Sequence, residues 1–273
     1  MIKAFPYAVL FLLTFSEACK SPNRTATAGE SSKGKIESGI AAGFKADENI
    51  QRDSNVLFAS SFNNGFEGWT SFCETCEVVD GSIAKRDSRI LKIVAKKHVN
   101  TGGDVLLRLA AGEDEIYFRF YTYFPAATVT PHHFVKIISY PIPYYGGHAG
   151  KRPPQNKYFV LGIEPTKENK WHFYNYWQEM HSWQTYRGDP DTARGPNSYY
   201  GNTFEADQQT AFKRDEWICV EARVKLNDPG DSNGLMAIWI NGKKIGEWGK
   251  GYPTGTWRGD RYVTSGAENI NPT

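Results

Sequence analysis

At 273 residues the chain is long enough for one large or two small domains. Its composition is that of a globular protein, with 26 Gly, 14 Pro and a high aromatic content of 14%. A formal net charge of only +2 excludes a global basic field for nucleic acid, so any electrostatic preference must be local.

The N-terminus comes first. Lys3 is followed by an apolar run from Ala4 to Phe15 and then by Ser16-Glu17-Ala18-Cys19. A charged start, a short apolar core and small residues before a cut form the pattern of an export signal. The run is too short to span a bilayer. Residues 1–18 are therefore expected to be a signal peptide, cleaved before Cys19. Cys19 also resembles the acylated cysteine of bacterial lipoproteins, although Glu17 departs from the small residue usual at its place. The expectation is an exported protein, anchored in a bacterial membrane through a lipid on Cys19 at the outer surface or periplasmic side, and otherwise secreted. Residues 20 to about 52 are rich in Ser, Thr, Gly, Lys and Glu and too poor in apolar side chains to offset their ordering entropy. Residues 19–55 thus read as anchor and disordered tether, and 56–273 as one folded domain, acting as a monomer.

Export permits disulfides among Cys73, Cys76 and Cys219. Cys73-Glu-Thr-Cys76 has redox or zinc-pair spacing, but no second pair and no nearby His completes a metal site, so a structural bridge is expected. One of the three thiols then stays free or pairs outside the domain.

From Val56 onward the chain reads as short strands broken by turns. Runs at Phe58 to Phe62, Glu77 to Val79, Ile90 to Ala95 and Val105 to Leu109 lead to the clearest strand, Glu115 to Phe124. There Ile116, Phe118 and Phe120 alternate with Tyr117, Arg119 and Tyr121, the period-two mark of a half-buried strand. His133 to Tyr140 follows. In Trp171 to Gln178, the residues Trp171, Phe173, Asn175 and Trp177 alternate with His172, Tyr174, Tyr176 and Gln178. Glu216 to Leu226, Gly234 to Ile240 and Lys243 to Trp248 complete the set, the last two joined by Asn241-Gly242, a strong hairpin turn. No long amphipathic helix and no repeat is evident. The pattern predicts an all-β protein, a jelly-roll sandwich of two antiparallel sheets with a concave groove. Trp171, Trp177 and Trp239 are expected in its core.

The stretch Trp217-Ile-Cys-Val-Glu221-Ala-Arg223-Val-Lys225-Leu-Asn227, with Gly234, Trp239 and Asn241-Gly242, resembles a strand–loop–hairpin unit of the concanavalin A-like lectin/glucanase superfamily. Phe66-Glu67-Gly68-Trp69 and Tyr117-Phe-Arg-Phe-Tyr121 resemble the opening of the same fold. In general layout the chain is most similar to jelly-roll polysaccharide lyases of the alginate and glucuronan type. The resemblance implies a carbohydrate ligand, but no catalytic motif of those lyases carries over residue by residue.

The chemistry of the residues narrows this. Retaining glycoside hydrolases need an acid and a nucleophile about 5 Å apart across one bond. Here Glu113-Asp114-Glu115 is contiguous and Glu205-Ala-Asp207 lacks a third carboxylate, so hydrolysis of that kind is not expected. A lyase instead needs a cation for the uronate carboxylate, a base for the C5 proton and an acid for the leaving oxygen. His133, His172, Tyr174 and Tyr176 are the candidate catalytic groups. Arg119, Tyr121, Lys136 and Gln178 are candidate substrate-binding groups, with His148 on a Gly-rich loop that could close over the groove. His133 and Lys136 reach one face only if a bulge intervenes. No cofactor is required, although Asp228, Asp231 and Asn233 could ligate a structural calcium ion. The expected partner is an anionic polysaccharide, cleaved by β-elimination. A lectin-like module on the same fold and an adhesive surface protein without a sugar ligand remain the alternatives.

Overall fold

In the computed structural model the described residues are 40–139, 149–151, 153, 159–177, 180, 199–206, 209–228, 231, 233–249 and, for the backbone, 256–258 and 261–263. Among them all regular structure is strand or short 3-10 turn. The strands are β1 (Ser71–Phe72), β2 (Cys76–Asp80), β3 (Arg89–Ile93), β4 (Val105–Leu106), β5 (Glu115–Tyr123), β6 (Val135–Ser139), β7 (Phe159–Pro165), β8 (Trp171–Tyr176), β9 (Asn202–Glu205), β10 (Trp217–Lys225), β11 (Leu235–Ile240), β12 (Lys243–Trp248), β13 (Thr256–Arg258) and β14 (Arg261–Val263).

Two sheets build the sandwich. One runs β12-β11-β10-β5 and the other β13-β14-β9-β8-β7-β6, with every pair antiparallel except β14 and β9. The two-stranded pairs β1-β4 and β2-β3 complete the jelly roll. The expected hairpin joins β11 to β12, and Asn241 and Gly242 both take the positive φ (50° and 76°) that such a turn requires. Asn241 Oδ1 also accepts from the Cys219 amide at 2.9 Å, tying the turn to β10.

Alternation explains which face each strand gives to the core. Ile116, Phe118 and Phe120 of β5, Val220 and Ala222 of β10, Leu161 and Ile163 of β7, and Trp171 and Phe173 of β8 belong to one buried cluster spanning both sheets. Phe120 meets Trp171 edge-on at 6.3 Å between centroids, and Phe173 meets Trp248 at 5.5 Å. Such edge contacts add to the area term that dominates burial of large rings. Trp171 is core, as expected, and Trp177 packs half-buried against the cluster. Trp239 is not core: it lies opposite Glu221 on the outward row, next to a register shift between Ile238 and Trp239.

Cys73 and Cys76 form a disulfide, the structural bridge the sequence suggests. Cys219 is fully buried on β10. In the loop after β10, Asp228 and Asn233 bond to each other, Asn233 Nδ2 donating to Asp228 Oδ2 at 2.6 Å.

The expected tether gives way to packed chain earlier than residue 56. Residues 40–52 form three 3-10 turns against the outward face of the four-stranded sheet, and Asp47 and Ile50 are buried there. Asp47 accepts from Arg119 Nη1 at 2.6 Å and from the Tyr121 hydroxyl at 2.7 Å. Glu221 lies 3.3 Å from the other arm of the same guanidinium. Burial and the Asp47 charge push the Tyr121 phenol well above its usual range. Polar residues in a low-complexity stretch thus gain a fixed place because one carboxylate meets a half-buried Arg and a buried Tyr.

Removing that carboxylate would leave a buried hydroxyl and half of a buried ion pair unsatisfied. Asp47→Ala should destabilise by about 2–4 kcal/mol. In a thermal melt of a chain this size that is a drop of several degrees, and an unchanged melting curve would show that the segment contributes nothing.

Candidate active site

The outward face of the six-stranded sheet carries the other parity of each strand. Lys136 lies opposite Gly162, Gly162 opposite Tyr174, and Tyr174 opposite Thr203, forming one row across β6, β7, β8 and β9. The next row holds Glu164, His172 and Glu205. Since Trp171 and Phe173 face the core, His172 and Tyr174 face outward, in the phase the sequence predicts.

Glu164 is the centre of this face. Its side chain is only 1% exposed, yet it is a carboxylate. His132 Nδ1 lies 2.9 Å from Oε2 and His133 Nδ1 lies 3.0 Å from Oε1, with His172 Nε2 farther off at 4.0 Å. Burial alone would raise its pKa. The hydrogen bond from His133 and the charges of His132 and His133 outweigh that, and Glu164 sits below the usual carboxylate range.

His133 reaches this face without a bulge. It stands just before β6 with φ of +59°, a left-handed conformation uncommon outside glycine. That one residue turns the chain so that the His132 and His133 rings lie side by side, 3.7 Å between centroids. It also puts His133 on the same side as Lys136, resolving the odd spacing. Both imidazoles are solvent-accessible, at 67% and 44% of their side chains.

Tyr174 packs against both rings, 5.5 Å from His132 and 5.4 Å from His133, and against Tyr176 at 5.8 Å. Burial, then the hydrogen bond with Tyr176, push its hydroxyl far above the ordinary tyrosine range. Two glycines make its place. A Cβ on Gly201 would collide with the edge of the Tyr174 ring, and one on Gly162 would stand 2.7 Å from the Tyr174 carbonyl oxygen. Tyr176, with Val160 and Met180, forms a small second apolar cluster that extends this face.

The candidate residues therefore divide. His133, Lys136, His172, Tyr174 and Tyr176 share the outward face of the six-stranded sheet. The expectation that Arg119 and Tyr121 join them is corrected: both lie on β5, on the opposite side of the sandwich, occupied with Asp47. Alternation was read rightly on β5, but parity does not tell which of two sheets a strand joins. Gln178, His148 and Cys19 lie outside the described residues. Glu164 and His132 are the residues that sequence reasoning did not assign. The run Phe159-Val-Leu-Gly-Ile163 was the available signal, since an unbroken apolar stretch is how a doubly covered strand reads.

Gly201→Ala should force the Tyr174 ring aside at an overpacking cost of about 1–3 kcal/mol. The check is the tyrosine environment in near-ultraviolet circular dichroism alongside the melt. Wild-type values in both would mean the ring is not held as described.

Residues 167–250 match the family Polysaccharide lyase 14, a span that includes β8, Tyr174 and the β10–β12 unit. Two solved structures align at low identity. The alginate lyase vAL-1 from Chlorella virus shares 15% identity with a TM-score of 0.45, covering 72% of this chain and 78% of that one. The marine PL-14 alginate lyase from Aplysia kurodai shares 17% identity with a TM-score of 0.45, covering 80% and 81%. No curated protein matches the chain. Over residues 167–250 the chain is similar to polysaccharide lyases of family 14, the lyase class that its sequence resembles in layout.

Proposed function

We propose that the protein is a polysaccharide lyase that cleaves an acidic, uronate-containing glycan by β-elimination on the outward face of the six-stranded sheet. The observation that carries this reading is the junction of His133, Glu164 and Tyr174: an imidazole held by a buried carboxylate, beside a phenol. The family match over residues 167–250 supports it.

The parts fit the reaction. With His133 Nδ1 engaged by Glu164, Nε2 is the nitrogen left to accept a proton, and Glu164 stabilises the imidazolium that forms. His133 takes the C5 proton of the uronate. The electron pair of that C–H bond forms the C4=C5 double bond, and the C4–O bond breaks. The hydroxyl of Tyr174 gives its proton to the departing oxygen. In this reading Lys136, across the side-chain-free position of Gly162 from Tyr174, meets the substrate carboxylate and makes the C5 proton more acidic. His172 and Tyr176 flank these groups on β8, where His172 lies near Glu164 and Tyr176 bonds Tyr174.

The test uses uronate polymers and follows ultraviolet absorbance of the unsaturated product. His133→Ala and Tyr174→Phe should each lower kcat by about 10²–10⁴-fold, the usual worth of a positioned acid or base. Tyr174→Phe should nearly keep the melting temperature, while His133→Ala should lower it because Glu164 loses a partner. A wild-type protein that binds the polymers without producing unsaturated ends would instead be a lectin-like module.

The same reading includes export, supported by Lys3, the apolar run and Ala18-Cys19. With Cys19 as the site of lipid attachment, Cys19→Ser should move the protein from the membrane fraction to the soluble one. Retention in the membrane fraction would remove the lipid anchor from the account.

A further inference from the structure

We propose that His132, His133 and Glu164 form a binding site for one divalent transition-metal ion of the Zn²⁺ class. The donors are two imidazole nitrogens and a carboxylate, all within 4.8 Å of one another. The nitrogen-to-oxygen separations of 2.9 and 3.0 Å are hydrogen-bond distances, which need widen by only about half an ångström to become edges of a tetrahedral shell with bonds of about 2.0–2.2 Å.

Several features favour this ligand class. Two nitrogen donors with one carboxylate suit Zn²⁺, Co²⁺, Ni²⁺ or Cu²⁺, whereas Ca²⁺ takes six to eight oxygens. Glu164 is rigidly placed on β7 and buried, so it waits as an anionic ligand with little freedom to lose. The imidazoles are accessible, so an ion arrives without opening the fold. Consecutive side chains on an extended chain diverge. Here the left-handed turn at His133 sets two neighbouring imidazoles on one carboxylate. Three protein ligands leave at least one position open to the groove, for water or a substrate carboxylate.

Binding requires each Nδ1 to be free of its proton, which moves to Nε2 or is released. The consequence for the site rests on the lyase reading. An ion on His133 Nδ1 removes the contact through which Glu164 presents Nε2 as a base. The metal-bound and proton-accepting states therefore exclude each other, and the ion acts as an inhibitor.

The test titrates metal-free full-length protein with Co²⁺, read by visible absorption, and with Zn²⁺, read by calorimetry. One ion per chain is expected. Binding should weaken at least ~100-fold in His132→Ala and Glu164→Gln, since even outer-shell partners of a metal are worth 10–100-fold. His98→Ala, an exposed histidine elsewhere, serves as the control. His132 is exposed, so its variant keeps the site testable if Glu164→Gln fails to fold. No binding by the wild type, or equal binding by wild type and the His132 variant, overturns the proposal. Lyase assays on the same samples should show inhibition by Zn²⁺ that a chelator reverses. Binding combined with activity that depends on Zn²⁺ would keep the site and dismiss His133 as the base. Binding to a protein inactive on every uronate polymer would keep the site and dismiss the lyase reading.

Discussion

A carboxylate hidden from water must be compensated or neutralised, and that constraint organises the functional face. Stripping an ion of solvent costs several kcal/mol even after relaxation. Glu164 keeps its charge because two imidazoles point Nδ1 at its two oxygens. Meeting that need fixes the left-handed turn at His133 and the approach of β6 to β7. It also sets the tilted pair of rings against which Tyr174 packs. The placing of the His132 and His133 rings and the setting of the Tyr174 phenol both follow from one buried side chain.

The same physics recurs on the other side of the sandwich with a different result. Asp47 is as buried as Glu164, but its partners are Arg119 and Tyr121. A guanidinium carries a permanent charge and five donors, so its pairing with Asp47 and Glu221 is lasting and structural. An imidazole carries a proton only part of the time. One buried carboxylate therefore staples a segment in place, while the other is paired with groups that are charged only when protonated.

Much of this was legible in the sequence, and the failures have physical reasons. The alternation in β8 told correctly that Trp171 and Phe173 face inward and Tyr174 outward, because a single covered face imposes a two-residue period. β7 escaped that test. Leu161 and Ile163 enter the core while Val160 and Glu164 are buried on the other face, so no polar alternation marks the strand, and Glu164 went with it. The grouping of Arg119 and Tyr121 with the groove failed because sheet membership is a long-range property. The N-terminal boundary failed because average composition cannot show that one aspartate finds two partners some seventy residues on.

The place where the N-terminal segment docks has a consequence for how the molecule meets a large substrate. Asp47 fastens the incoming chain to the back of the four-stranded sheet, one full sandwich thickness from Lys136, His133 and Tyr174. If the N-terminus is held at a surface, the pull acts on the back of the domain. The working face is then turned outward, like a tool held by its handle. In that arrangement a long, stiff polymer lying along the face would meet no steric conflict with the support.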